Sequence, residues 1–225
     1  MKIGIIVAMR KELALLKPML DNCQEVTVDG FTFHTGRVGS HDVVVMQSGI
    51  AKVNAAVGAL TLINNFAPQA IVNSGVAGGA DPSINVMDVV VGSRVVQHDV
   101  YCGAEVAVGA VQGLPQYYEA HRPMLDAIAA SPYVKKGLIC SGDQFIDTRE
   151  ALDAVKAKFP EALAVDMESG AIAQVCYLRG VPFLSMRVIS DSPGASHDHA
   201  QQYGDFWAEA PQHTFDMLCK LLHSI

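Results

Sequence analysis

Short runs of apolar, largely β-branched residues alternate with longer segments of helical periodicity, and this alternation constrains the fold more than any other feature. Residues 3–7 form such an apolar run, and residues 51–66 repeat apolar side chains at helical spacing. Strands that are apolar along their whole length are typical of a sheet covered on both faces. The sequence therefore predicts an α/β sandwich, and a chain of 225 residues is too short for two independent domains of this kind.

The same reasoning assigns the other elements. Asp29-Gly30 favours a tight hairpin turn between two strands, and residues 100–116 are predicted to form a loop. Further strands are predicted at residues 42–47, 70–73, 87–97, 136–140, 163–165 and 182–190, and helices at 12–20, 149–158, 167–179 and 206–222.

The charge balance argues against a nucleic-acid partner and suggests an oligomer. The formal net charge is -7, and no run of Lys and Arg offsets the repulsion from a phosphate backbone. Only 17% of the residues are charged, against roughly 25% in an ordinary soluble domain. An apolar interface between subunits would explain this shortfall.

The five cysteines are widely spaced and form no C-x-x-C pattern, so they are expected to be reduced and mostly buried. His197-Asp198-His199 lacks a third well-placed ligand, and a solvated loop without metal is expected there. The first residues lack the features of a signal peptide, and no run of about 20 apolar residues follows. We therefore expect a cytoplasmic protein that does not bind membranes.

Three acidic residues stand just after apolar strand-like runs: Glu12, Glu168 and Asp191. Loops at the carboxyl ends of strands converge on one crevice in open α/β sheets, so these carboxylates are predicted to share a pocket. Asp191 ends a very apolar strand, where an unpaired carboxyl group is costly to bury, and Arg187 lies four residues earlier. Capping of a helix N-terminus is the alternative for Glu168 and Asp191.

Gly75, Gly78 and Gly79 follow another predicted strand. Their spacing does not match G-x-G-x-x-G, and no Walker lysine follows. Two explanations stay open: a tight turn with close packing, or close approach of the backbone to a flat ring or a sugar.

Several separate blocks recur in the order and spacing of one known family. They are Lys2-Ile3-Gly4-Ile5-Ile6 with Ala8-Met9 and Glu12, Ser48-Gly49-Ile50 with Lys52-Val53, Gly75 with Ala77-Gly78-Gly79, Ser141-Gly142-Asp143 with Phe145-Ile146, Met167-Glu168, and Arg187 with Ile189-Ser190-Asp191. In these blocks the chain resembles the 5′-methylthioadenosine/S-adenosylhomocysteine nucleosidases of the nucleoside phosphorylase superfamily. The resemblance implies a single domain over residues 1–225 with a three-layer α/β/α sandwich and a mixed central β-sheet.

The resemblance also implies hydrolysis of the N-glycosidic bond of 5′-methylthioadenosine, S-adenosylhomocysteine and related 5′-substituted adenosines. Breaking this bond leaves positive charge on the sugar and negative charge on the base, so a proton donor is needed at the purine and a carboxylate near the sugar. By this resemblance Asp191 protonates adenine N7, Glu12 orients and deprotonates the water, and Glu168 holds the ribose hydroxyls.

The remaining roles follow from the same resemblance, with ordinary core packing as the alternative for the apolar residues. The backbone near Ile146 reads adenine, Phe145 stacks on it, and the predicted substrate-binding set is Ile50, Val76, Ala77, Gly78, Phe145, Ile146, Met167, Arg187, Ser190 and Tyr203. Neither a cofactor nor a metal is expected. A homodimer is expected, in which residues 101–115 of one subunit help close the pocket of the other.

Other activities stay open at this stage. A purine nucleoside phosphorylase would need a phosphate loop of the Gly-Asp-Pro-x-Arg type, which this chain lacks, and Glu12 would repel phosphate, although Arg10 and Lys11 lie beside it. Aminodeoxyfutalosine and 5′-deoxyadenosine are alternative substrates, because the loop after Asp191 is longer than the family pattern. A non-catalytic nucleoside-binding relative is the remaining alternative. Val76 and Asp166 also depart from the family pattern.

Overall fold

The computed structural model describes residues 1–193, 204, 206–207 and 216–225, without the side chain of residue 217. The predicted contact of Tyr203, the His197-Asp198-His199 segment and residues 208–215 of the predicted helix 206–222 lie outside the described residues. The strands are β1 (Lys2–Val7), β2 (Asp21–Val28), β3 (Phe31–Val38), β4 (His41–Gln47), β5 (Ala70–Gly79), β6 (Val89–Gln97), β7 (Tyr118–Glu119), β8 (Val134–Ser141), β9 (Ala162–Asp166) and β10 (Phe183–Asp191). The α-helices with described bounds are α1 (Arg10–Leu16), α2 (Lys52–Phe66), α3 (Arg122–Ala127), α4 (Arg149–Lys158), α5 (Ser169–Arg179) and α6 (Asp216–Ser224).

β1 shows why an unbroken apolar strand is buried on both faces. Successive side chains of a strand point to opposite faces of the sheet. Ile5 and Val7 belong to the apolar cluster that includes Leu222 of α6, whereas Ile6 belongs to the cluster that includes Leu62 of α2. Helices therefore cover both faces, and the predicted three-layer α/β/α sandwich with a mixed central sheet is confirmed.

Part of the sheet closes on itself, which the sequence did not indicate. β5 pairs with β10, β10 with β6, β6 with β8 and β8 with β9, and β9 returns to β5. β1 joins β5 on the outside of this ring and leads through β4 and β3 to the edge strand β2. Because β5 belongs to both parts of the sheet, its carboxyl end lies where the two parts meet.

The three acidic residues reach this region by two different routes. β1 and β10 both run parallel to β5, so Glu12 and Asp191 follow carboxyl ends at the same edge, as predicted. β9 instead runs antiparallel to β5, with Val165 opposite Gly78. Glu168 therefore arrives from the opposite direction, and the argument from parallel strands is wrong for this residue.

Local sequence explains most element boundaries. Asp29 and Gly30 both have positive φ, 49° and 82°, so the predicted tight turn joins β2 and β3. Pro18 has no N–H to continue an α-helix, and the predicted helix 12–20 ends instead in a 3₁₀ turn at Lys17–Met19.

Two predictions of local structure are wrong. β5 was predicted to end at residue 73 but continues through Gly75 to Gly79, because β10 and β9 pair with its second half. The second error is an omission, because the short elements β7 and α3 were not predicted. The loop predicted at residues 100–116 does contain neither a helix nor a strand.

All five cysteines are free thiols, but only Cys140 and Cys176 are buried, while Cys23 and Cys102 are exposed. The expectation of mostly buried cysteines is therefore wrong, because Cys23 lies on the exposed edge strand β2. Among the helices that the structure describes, none is both long enough and apolar enough to span a bilayer.

Candidate active site

A cavity opens at the junction of the two parts of the sheet. The carboxylates of Glu12, Glu168 and Asp191 line it together, although Glu12 is more than 150 positions from the other two in sequence. The lining residues are Ala8, Met9, Glu12, Ile50, Val76, Ala77, Gly78, Gln144, Phe145, Ile146, Val165, Asp166, Met167, Glu168, Ser190 and Asp191.

Glu12 is held by backbone donors from two strand ends. Its Oε2 accepts hydrogen bonds from the N–H groups of Ala8 at 2.9 Å and Met9 at 2.8 Å, and its Oε1 accepts one from Val76 at 3.0 Å. Burial raises the pKa of Glu12, while Arg187 and the three N–H groups act in the opposite direction. The side chain is thus fixed in one orientation at the cavity wall, and its pKa lies above that of an ordinary glutamate.

Gly75 makes room for this arrangement. A Cβ at this position would lie 2.6 Å from Glu12 Oε1 and 2.7 Å from Arg187 Nη1, which is closer than real Cβ contacts. Its φ of +155° is also rare for residues with a side chain. Of the two explanations left open by the sequence, close packing applies to Gly75, and the groups packed against it are the Glu12 carboxylate and the Arg187 guanidinium.

Glu168 lies between β9 and α5 and does not cap its own helix. No side-chain capping bond is formed there, and Oε1 instead accepts from the N–H of Ala51 at 3.1 Å, just before α2. Burial raises the pKa of Glu168 to about 7, with Asp166 and Glu12 acting in the same direction, although Arg187 and the Ala51 N–H oppose them. Close to neutral pH, both the protonated and the ionised form of this carboxyl group are therefore populated.

Arg187 lies in the middle of β10, fully buried, behind the cavity. Its Nη2 is 2.7 Å from Asp166 Oδ2 and 3.6 Å from Glu168 Oε2, and it also donates to Asn73 Oδ1 and Ser169 Oγ. One guanidinium is thus shared by two carboxylates, Asp166 and Glu168. Its charge therefore offsets only part of the desolvation cost of ionising the buried Glu168. Arg187 belongs to the predicted substrate-binding set, but its side chain does not line the cavity.

Asp191 is the last residue of β10, and only 3% of it is exposed. The hydroxyl of Ser190 donates to Asp191 Oδ1 at 2.6 Å, and the carbonyl oxygen of Ala77 lies 3.3 Å from the same hydroxyl. Asp191 belongs to a strand and not to the start of a helix, so the capping explanation does not apply.

The chain matches a model of the phosphorylase superfamily over residues 2–223. It is 38% identical to a 5′-methylthioadenosine/S-adenosylhomocysteine nucleosidase of Anoxybacillus flavithermus over 100% of this chain and 99% of that protein. This chain belongs to that nucleosidase family.

Solved structures agree with this assignment. A 5′-methylthioadenosine/S-adenosylhomocysteine nucleosidase of Streptococcus pneumoniae, in a complex with a transition-state inhibitor, has a TM-score of 0.94 and 37% identity, covering 100% of this chain and 99% of that one. A futalosine hydrolase of Helicobacter pylori has a TM-score of 0.90 and 28% identity, covering 100% of this chain and 98% of that one. The fold of the nucleosidase family thus also occurs in a hydrolase of a different nucleoside.

In this member of the nucleosidase family, every predicted site residue that the structure describes lines the cavity, with the exception of Arg187. Phe145 is 61% exposed and Ile50 48% exposed, so the cavity wall is open to solvent at these two side chains. The alternative explanation, that these two side chains are ordinary core residues, is therefore wrong.

Other residues of this nucleosidase site were not predicted. Met9, Gln144 and Val165 line the cavity, and Asn73 and Ser169 contact Arg187 from behind. The neighbouring sequence does not distinguish a buried Asn or Ser that binds an arginine side chain from one that binds the backbone. Asn73 and Ser169 are both more than 15 positions from Arg187 in the chain.

Metal-ligand geometry is lacking in the described part of the chain, where no three His, Cys, Asp or Glu side chains are grouped suitably. The carboxylates of the cavity are instead satisfied by N–H groups and Arg187.

Proposed function

We propose that this protein hydrolyses the N-glycosidic bond of 5′-methylthioadenosine and S-adenosylhomocysteine, giving adenine and a 5-substituted ribose. The observation that carries the proposal is that Glu12, Glu168 and Asp191 line one cavity in a member of this nucleosidase family. Cleavage produces charge of opposite sign on the sugar and the base, and the three carboxylates provide groups for both ends.

Glu12 is proposed as the base that orients and deprotonates the attacking water. Its three N–H bonds hold the carboxylate in place and favour its ionised form, whereas burial makes it more basic. A general base works best when its pKa is near the operating pH, and the raised pKa of Glu12 moves it in that direction. Water bound by Glu12 is thereby presented to the anomeric carbon.

Glu168 is proposed to hold the ribose hydroxyls. A carboxylate accepts hydrogen bonds from two vicinal hydroxyls only in its ionised form. The N-terminal ends of α2 and α5 both lie beside this residue, and helix N-termini favour negative charge. Ile50 and Met167 also line the cavity and are assigned to the sugar and its 5′ substituent.

Asp191 is proposed as the acid that protonates adenine N7. The Ser190 hydroxyl orients its Oδ1, and Asp191 lines the cavity in which the base would bind. Phe145 and Ile146 border the same cavity, and we assign to them stacking on adenine and backbone contact with its edge.

Water is favoured over phosphate as the nucleophile. Arg187 is already paired with Asp166 and Glu168, and the Nζ of Lys11 lies 4.3 Å from the centroid of the Trp207 ring. Arg10 is exposed to solvent. The cationic groups that a phosphate site requires are thus engaged elsewhere or directed outward, while the carboxylate of Glu12 faces the cavity.

A product assay tests this proposal. Purified protein is incubated with methylthioadenosine, S-adenosylhomocysteine, 5′-deoxyadenosine, aminodeoxyfutalosine, futalosine and inosine, with and without phosphate, and free base is measured. We expect adenine from the first two nucleosides at rates that do not depend on phosphate. A strict requirement for phosphate would contradict hydrolysis. Turnover of futalosine or aminodeoxyfutalosine alone would identify the second candidate, which the similarity to the Helicobacter pylori futalosine hydrolase favours.

The assembly proposed is a homodimer in which residues 101–115 of one subunit help close the pocket of the other. Exposed apolar side chains support it: Val53 is 73% exposed on the first turn of α2, and Tyr101 and the cavity-lining Phe145 are also exposed. We place the protein in the cytoplasm, because the free thiols of Cys23 and Cys102 are exposed and would persist best in a reducing compartment.

A further inference from the structure

The hydroxyl of Ser169 is the centre of a buried polar cluster behind the cavity. Ser169 is the first residue of α5 and is completely buried. Its Oγ lies 3.1 Å from Nη2 and 3.3 Å from Nε of Arg187, 3.0 Å from Asn73 Oδ1 and 2.7 Å from Ser185 Oγ, and it donates to Asp166 Oδ2. Four side chains from three strands thus meet at one hydroxyl.

The hydrogen-bonding capacity of a hydroxyl explains the order in this cluster. A hydroxyl carries one proton and two lone pairs. The proton goes to Asp166, because a carboxylate is a stronger acceptor than an amide oxygen. The hydroxyl oxygen then accepts from Ser185 and from the Nε–H and Nη2–H groups of Arg187. Ser169 therefore connects the cation to one of its carboxylates without contacting the cavity itself.

We propose that Ser169 is a positioning residue that holds the guanidinium of Arg187 between Asp166 and Glu168. The role rests on the proposed hydrolysis, since Glu168 is assigned to the ribose. Nη2 of Arg187 is closer to Asp166 than to Glu168, and the bonds to Ser169 keep it from moving further toward Asp166. Ser169 thereby determines how much positive charge reaches the cavity.

Removal of the hydroxyl has a directional consequence. Asp166 loses a donor and Arg187 loses an acceptor at Nε, so the guanidinium is drawn toward Asp166 and away from Glu168. Among the described residues, the titratable groups that face Arg187 are Glu12 from α1, Asp166 at the end of β9 and Glu168 between β9 and α5. With less positive charge nearby, the pKa of Glu168 rises. The ionised form, which is proposed to bind the ribose hydroxyls, is therefore lost at a higher pH than in the wild type as the solution is acidified.

The test uses four variants of the full chain. Ser169→Ala removes the hydroxyl, while Ser169→Thr and Ser169→Val form a pair of equal shape that differs only in the hydroxyl. Ser83→Ala is the matched control, because Ser83 also donates to a carboxylate, that of Asp81, but is exposed and does not line the cavity. For each, kcat and KM with methylthioadenosine are measured between pH 5 and 9, together with the thermal unfolding temperature.

We expect the acid limb of kcat/KM to move up by about one pH unit in Ser169→Ala, so that activity falls roughly 10-fold at acid pH and much less at alkaline pH. Ser83→Ala should keep the wild-type dependence of kcat/KM on pH. The acid limb of Ser169→Thr should lie at lower pH than the acid limb of Ser169→Val. If Ser169→Ala does not fold, the comparison of Ser169→Thr with Ser169→Val tests the role of the hydroxyl. A wild-type limb in Ser169→Ala, or an equal loss at every pH, would overturn the role of Ser169. Failure of the wild-type protein to release adenine would instead contradict the proposed function.

Discussion

At the scale of single residues, the surroundings of each carboxylate and not its type decide its chemistry. Glu12 has three backbone donors, Glu168 has one donor and a shared cation, and Asp191 is oriented by a serine hydroxyl. All three are buried, which makes each sensitive to the loss of a partner.

Asp191→Asn tests the proposed general acid. The amide is nearly equal in size but cannot supply a proton to the purine, so we expect kcat to fall by about 10²- to 10⁴-fold. The thermal unfolding temperature should change little, because Ser190 can still donate to the amide oxygen. Near-full activity in this variant would show that another group protonates the base.

Glu168→Gln tests the raised pKa of Glu168 through protein stability. The pKa is about 7 in the folded protein against an ordinary value of 4.5, so the folded state binds the proton more tightly. This contribution to the free energy of unfolding is complete below pH 4.5 and is lost as the pH rises toward 7. The glutamine variant lacks it, so the stability of the variant relative to wild type should increase by on the order of 2 kcal/mol from pH 5 to pH 8. The measurement is urea unfolding without ligand, and parallel curves for the two proteins would contradict the shift.

At the scale of elements, the N-terminus of α2 is capped by carboxylates from distant segments. No side chain of its own caps this helix. The N–H of Ala51 donates to Glu168, and the N–H of Lys52 donates to Asp143 Oδ1 at 2.7 Å. Asp99 completes the connection, because it accepts from Lys52 Nζ and from the N–H of Asp143. The start of α2 therefore joins the proposed sugar end of the cavity to the loop that carries Phe145.

This geometry depends on a strained backbone at Ala51. Its φ of 78° and ψ of 167° lie in a region that is essentially restricted to glycine and costs other residues about 1–3 kcal/mol. We expect Ala51→Gly to raise the free energy of unfolding by about 1 kcal/mol, since relief of strain exceeds the added entropy of the unfolded chain. Activity should be retained, because both N–H bonds remain.

The control for this prediction is Ala56→Gly in the interior of the same helix, which should lose about 1 kcal/mol. Denaturant unfolding compares the two variants. Destabilisation of both by similar amounts would show that the Ala51 backbone is not strained.

At the scale of the whole molecule, the low content of charged residues has a visible counterpart on the surface. Ile50, just before α2, is 48% exposed and lines the cavity, and Val53 and Val57 in the first half of α2 are 73% and 48% exposed. Exposed apolar side chains grouped in this way mark interaction surfaces. Both the dimer and the extent of one domain over residues 1–225 stay predictions.

A charge placed on this surface tests the dimer. Wild-type protein should sediment at twice the mass of one chain, and Val53→Glu combined with Val57→Glu should sediment as a monomer with a raised KM, because the pocket loses the partner loop. Val26→Glu is the control, since Val26 is also exposed but lies on the edge strand β2. A monomeric wild-type protein at micromolar concentration would contradict the prediction, as would an unchanged dimer in the double variant.

The sequence by itself determined the alternation of strands and helices, the tight turn at Asp29-Gly30, and the positions of Glu12 and Asp191 at the ends of parallel strands. These features depend on residues close in the chain, where periodicity and turn chemistry act directly. The family resemblance additionally predicted most of the residues that line the cavity, but it did not predict their contacts.

Only the tertiary structure decided the rest. Glu168 enters the site on a strand antiparallel to β5, β5 continues through its glycines because two later strands pair with it, and Ser169 contacts Arg187 from another element. Each of these depends on partners far apart in sequence, whose hydrogen bonds and charges act only after the sheet has closed. Burial then sets the protonation of Glu168, because the same glutamate in water would have an ordinary pKa.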